Sequence, residues 1–186
     1  MGTPKALLRF QGETFLDRLI RLFSSVAHPV IVVVGHHGAI IRSGMERASQ
    51  AVFAVNPEPE RGMLSSLQIG LQAVPAYISA TMFMPVDHPH LQASTLDALV
   101  ASFAKTGAPV SVPTHAGEHG HPVCIARAVI DQLLALPPAA MASDVIHRYV
   151  GQTSYIEVAD AAVISDIDDP ESYAELIASH PPAAGS

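Results

Sequence analysis

An open α/β sheet with helices on both faces is the fold class this sequence predicts, and three observations predict it. Short β-branched runs at residues 30–34 and 51–55 are apolar throughout, as strands buried on both faces of a mostly parallel sheet must be. Segments of helical length and apolar spacing separate such runs along the chain. The composition is 49% apolar and 15% charged over 186 residues, enough to close one domain around a real core.

The elements follow in order. Thr14 and Asp17 have the spacing of a capping pair, so a helix is predicted over Phe15–Ser24. Strands follow at 30–34, 51–55 and 81–84, with weaker strand signals at 110–113, 123–125, 155–158 and 163–167. Helices are predicted at 64–73, 94–105 and 128–134, with a shorter one at 143–149. Asp169 is placed to cap a last helix that has Pro170 in its first turn. With no internal repeat and no linker, residues 1–180 are read as one domain and 181–186 as a disordered tail.

Charge and cysteine content exclude several classes. The net charge is −7 and the basic residues are scattered, which argues against a nucleic-acid partner. Cys124 is the single cysteine, so neither a disulfide framework nor a paired-cysteine metal site can form. A reducing cytoplasm is the expected location, with Cys124 a buried structural thiol. No apolar run approaches the roughly 18 residues of a membrane span, and the first residues lack the apolar core of a signal peptide.

Five segments could carry chemistry. In the first, Lys5 is placed to meet a phosphate as a point charge and Gly2 allows close backbone approach, although composition alone favours a solvated lysine near a terminus. Asn56 follows a strand and leads to Gly62, Met63 and Ser66 at a helix start, where free N–H groups favour an anion or a polar ligand edge. Simple capping by Ser65 or Ser66 is the competing reading. Asp87 follows the 81–84 strand at the sheet's carboxyl edge, where one carboxylate with ligand phosphates can hold Mg²⁺, or where it merely makes a turn. Gly117, Gly120, His119 and His121 form a tight loop, and the histidine spacings match no standard zinc pattern. Asp166 and Asp168 point to one side of an extended segment, where their repulsion calls for a cation or donors, unless the turn is simply solvated.

Taken in order, Met-Gly-x-Pro-Lys-x-Leu-Leu, Asn-Pro, Gly-Met-x-x-Ser-Leu, Pro-Val-Asp-x-Pro, Gly-His-Pro and Asp-Ile-Asp-x-Pro-Glu resemble the molybdenum cofactor cytidylyltransferases, from Met1 to about Ile177. The resemblance implies a Rossmann-like nucleotidyltransferase fold of three α/β/α layers. It also implies transfer of CMP from CTP to the phosphate of a molybdopterin cofactor, with release of pyrophosphate. By the same resemblance Lys5 neutralises the triphosphate and acts with Asp87 in catalysis, while Asp87 and Asp168 bind Mg²⁺. Gly2, Asn56, Gly62, Met63 and Ser66 lie by the nucleotide, and Gly120 and His121 face the pterin. A molybdenum hydroxylase or its maturation chaperone is the implied protein partner. Pro4, Ser66 and the Gly-His-Pro loop favour CTP over GTP by analogy.

Two departures stand out. Members of the family carry an apolar strand and a glycine loop ahead of the Met-Gly-x-Pro-Lys motif, and this sequence starts at that Met. The absent strand is expected between the strands at 30–34 and 81–84. Asp169 also stands where the family has Thr, and still suits a helix cap. Transfer to another phosphorylated small molecule, and a non-catalytic binding protein of the same fold, are the competing functional readings.

Overall fold

The computed structural model describes residues 3–181. Gly2 therefore lies outside the described residues, as does the tail from 182 onward. A 3₁₀ turn at Lys5–Leu7 leads into a hairpin of β1 (Arg9–Phe10) and β2 (Glu13–Thr14), then α1 (Phe15–Ser24), β3 (Ile31–Val34), α2 (Gly38–Ser43) and β4 (Val52–Val55). Next come α3 (Met63–Gln72), β5 (Ala80–Phe83), α4 (Ala93–Thr106), β6 (Val110–His115), β7 (Glu118–His119) and β8 (Val123–Ala126). The chain ends with α5 (Arg127–Leu134), α6 (Ala142–Ile146), β9 (Thr153–Glu157) and α7 (Pro170–Ser179).

Local chemistry sets the helix starts. The Thr14 hydroxyl accepts from the Asp17 N–H at 3.0 Å and donates to the Asp17 carboxylate at 2.6 Å, which fixes the start of α1. That buried carboxylate also accepts the N–H groups of Glu46 and Arg47, at 3.2 and 2.7 Å. Its charge is thus met by donors rather than by water. Asp169 accepts from the Ser172 N–H at 2.8 Å, with Pro170 following, so α7 begins where the sequence places it.

The sheet is mixed rather than mostly parallel. β3 pairs with β4 in parallel, and β6 pairs with β9 in parallel. β8 lies between β5 and β6 and runs antiparallel to both. The reason is the tight turn after β6, where Ala116 and Gly117 both adopt positive φ (51° and 85°). So short a return is compatible only with antiparallel neighbours. The strand expected at 163–167 does not form. The Asp160 carboxylate accepts from the Ala162 N–H at 3.2 Å and from Gln92 N–H and Thr95 Oγ1 at 2.9 and 2.7 Å. Those bonds draw the segment into a 3₁₀ turn at Ala161–Val163. The helix expected at 143–149 ends at Ile146 and continues as a 3₁₀ turn over His147–Gln152.

Among the described residues the strands form three groups, the β1–β2 hairpin, the β3–β4 pair and a five-stranded group of β5 to β9, and β3 and β5 are not bonded to each other. β3 is paired only along its β4 edge and β5 only along its β8 edge. Between them lies an apolar cavity of about 1310 Å³, walled by Ile31 and Val33 on one side and Thr81 and Phe83 on the other. Leu16 and Ile20 of α1 close one face, and Leu67 and Gly70 of α3 close the other. The largest of the buried clusters packs Val110, Ile125, Val129, Ile130 and Leu133 where β6, β8 and α5 meet.

Candidate active site

A single backbone bond assembles the acidic residues. The Ile167 N–H donates to the Asp87 carbonyl at 2.8 Å, tying the segment before α7 to the end of the β5 strand. The Ile167 side chain is buried with Phe10, Phe15 and Leu176. Because side chains alternate along this extended stretch, burying Ile167 turns Asp166 and Asp168 outward on the same side. The same-side expectation therefore holds although no strand forms there. Oxygens of Asp87, Asp166 and Asp168 all lie within 4.8 Å of one another. The resemblance names Asp87 and Asp168 as the metal pair; the tertiary structure brings Asp166 into the same group.

Lys5 is the cation of this cluster. Its ammonium donates to Asp168 Oδ1 and stands 3.8 Å from Asp87 Oδ2. The hydrogen bond from Lys5, and then its charge, hold the Asp168 carboxyl below the usual aspartate value. The position of Lys5 is set from beneath, because Ala6 is buried against Leu16, Ile20, Val32 and Val34. Asp87 Oδ1 is buried and has no hydrogen-bond partner among the described residues. An orphaned carboxylate oxygen beside two further carboxylates suits a hard cation that takes oxygen ligands.

The remaining expected residues fall into two sets. Asn56 is buried, and its amide is spent on the loop: Nδ2 donates to Ser65 Oγ and Ser66 Oγ at 2.9 and 3.0 Å, and Oδ1 accepts from the Glu58 N–H at 3.0 Å. Asn56 thus shapes the loop that carries Gly62 and Met63. Gly62 adopts φ 94°, a conformation that favours glycine, and directly precedes α3. No side chain caps that helix start, and Ser66 lies inside the first turns of α3 rather than in a loop. Met63 is 77% exposed. Gly62, Met63 and Ser66 line the mouth of the large cavity together with His121.

Gly120 and His121 are pinned from the opposite side. The Gly120 N–H donates to the Pro113 carbonyl at 2.9 Å and the His121 N–H to the Val163 carbonyl at 2.8 Å. A Cβ on residue 120 would sit 2.4 Å from the Val163 carbonyl oxygen, so glycine is required there by close approach. The His121 ring lies 5.5 Å from that of His88, the neighbour of Asp87. Burial, followed by the proximity of His88, lowers the His121 pKa and favours its neutral form. His121 therefore links the cavity mouth to the acidic cluster, a proximity its sequence position did not reveal. Cys124 is buried as expected, and burial pushes its thiol up to about 11, which keeps it protonated and inert. No helix among the described residues is long and apolar enough to cross a membrane.

Comparison with known proteins places the chain in a family. The model of the MobA-like NTP transferase domain matches residues 1–153. The chain is 24% identical over 173 residues to the molybdenum cofactor cytidylyltransferase of Escherichia coli, covering 93% of this chain and 86% of that protein. It is 31% identical over 145 residues to the molybdenum cofactor guanylyltransferase of Sinorhizobium fredii, covering 77% of this chain and 60% of that protein. Among solved structures, the mycobacterial homologue of Mycobacterium tuberculosis Rv0371c superposes with a TM-score of 0.79 at 25% identity, over 96% of this chain and 89% of that one. Rv0371c itself, in complex with manganese, gives a TM-score of 0.77 at 21% identity, over 95% of this chain and 92% of that one. The fold is the Rossmann-like α/β architecture expected, and the chain belongs to the MobA-like NTP transferase family.

Proposed function

We propose that this protein transfers CMP from CTP to the terminal phosphate of a molybdopterin-type cofactor. The observation that carries the reading is the convergence of Lys5, Asp87, Asp166 and Asp168 at the carboxyl end of β5. The cytidylyltransferase relative from Escherichia coli supports it over 93% of this chain. An acceptor phosphate oxygen attacks the α-phosphorus, the bond to the β-phosphate breaks, and pyrophosphate leaves. The acceptor is already an anion, so the reaction needs in-line positioning and charge neutralisation rather than a dedicated base.

Each residue has a place in that reaction. Lys5 neutralises triphosphate oxygens as a point charge. The Gly62–Met63 backbone and Ser66 position the base or sugar at the start of α3, where free N–H groups point at the ligand. Gly120 and His121 hold the pterin side of the cavity mouth. Asp87 and Asp168 would hold Mg²⁺, with Asp166 beside them; the buried, unpartnered Asp87 Oδ1 and the three clustered carboxylates fit such an ion. When bound, the ion neutralises charge that develops on the phosphates. The manganese complex of the structural relative Rv0371c is in keeping with a divalent ion in this fold.

Three measurements test the reading. Asp87→Asn should lower kcat for CMP transfer by at least about a hundredfold, the effect of losing a charge contact worth several kcal/mol, and should shift the Mg²⁺ dependence of pyrophosphate release. Unchanged activity and unchanged Mg²⁺ dependence would remove Asp87 from the site. CTP should outcompete GTP in the transfer assay; a clear preference for GTP would instead align the chain with its guanylyltransferase relative. His121→Ala should raise KM for the pterin by about tenfold, the loss of one hydrogen bond, and leave KM for CTP nearly unchanged. The opposite pattern would move His121 to the nucleotide side.

A further inference from the structure

The oxygens suited to the metal already have a cation, and the chain itself supplies it. Lys5 donates to Asp168 Oδ1 and lies 3.8 Å from Asp87 Oδ2, inside the group formed by Asp87, Asp166 and Asp168. Lys5 thus occupies carboxylate oxygens that a divalent ion would use, Asp168 Oδ1 directly and Asp87 Oδ2 at longer range. Two cations so close would repel strongly in a site where the Asp87 side chain is only 18% exposed. Lys5 is nevertheless an incomplete partner, because it approaches Oδ2 of Asp87 and leaves the buried Oδ1 without a hydrogen bond, with His88 Nε2 3.8 Å away. Its backbone is held through buried Ala6, while its four-carbon stem lets the ammonium swing without disturbing that core.

We propose that Lys5 is a resident counter-ion that blocks the metal site in the free protein and is drawn away by the triphosphate, so that metal and nucleotide bind cooperatively. The proposal rests on the reading that Asp87 and Asp168 hold the metal and that Lys5 meets the phosphates. In the free protein the ammonium offsets the repulsion among the carboxylates. A triphosphate offers Lys5 a more highly charged partner, and its departure releases the oxygens the ion needs. Linkage makes the effect reciprocal: the factor by which nucleotide tightens metal binding is the factor by which metal tightens nucleotide binding.

The test is a Mn²⁺ titration of the full chain without nucleotide, following free Mn²⁺ by electron paramagnetic resonance. Lys5→Met should bind Mn²⁺ at least about tenfold more tightly than the wild type, as expected when a competing cation is removed. Lys5→Gln, which keeps a polar side chain, should show the same gain, and adding Asp168→Asn to either variant should abolish it. Calorimetry then reads the coupling: Mn²⁺ should tighten CTP binding by a larger factor in the wild type than in Lys5→Met. Unchanged or weaker Mn²⁺ binding in both Lys5 variants overturns the proposal. So does a gain that survives Asp168→Asn, or an equal coupling factor in wild type and variant. No acceptor is present in these titrations, so a failure to transfer CMP would count against the proposed reaction and leave the exchange of Lys5 for metal standing.

Discussion

Mutual repulsion among three carboxylates is the constraint around which the site is arranged. Asp87, Asp166 and Asp168 are forced together by the hydrogen bond from the Ile167 N–H to the Asp87 carbonyl and by the burial of Ile167 under α7. Coulomb repulsion at such distances opposes folding unless a cation offsets it. Lys5 supplies that charge, and the packing of Ala6 keeps it within reach. Three segments far apart in sequence thus depend on one another electrostatically: the turn at Lys5 and Ala6, the stretch after β5 that holds Asp87, and the segment Asp166–Asp168 that α7 holds in place.

The sheet imposes a second constraint. β6 is paired along both edges and anchors the half of the molecule that carries Gly120 and His121. β3 and β4 form a separate pair that carries Asn56 and, through it, the loop to Gly62. The cavity between β3 and β5 separates the two halves, and its mouth is lined by the nucleotide-side residues Gly62, Met63 and Ser66 and by His121 from the other half.

Much of this arrangement was legible in the residues. The caps at Thr14 and Asp169, the helix bounds and the main strand positions rest on hydrogen bonds within a few residues, so local sequence carries them. The short hairpin of β1 and β2 was not legible, because its turn depends on Gln11 and Gly12 both adopting positive φ and its strands have two residues each. The 163–167 strand was misread because its β-branched residues favour extension, whereas Asp160 captures the backbone through bonds to residues 65 and 68 positions away. Propensity yields to tertiary contacts of that kind.

The sequence by itself determined the fold class, the family and the presence of Lys5, Asp87 and Asp168 as charged groups at element ends, because periodicity, caps and motif order are properties of neighbouring residues. Only the tertiary structure decided which of them meet. It placed Lys5 on Asp168 across 163 residues of chain, added Asp166 to the group, and set His121 beside His88. It also decided that Asn56 spends its amide on Ser65 and Ser66. Such pairings follow from how buried faces such as those of Ala6 and Ile167 stack in three dimensions, and the order of residues along a chain does not specify that stacking position by position.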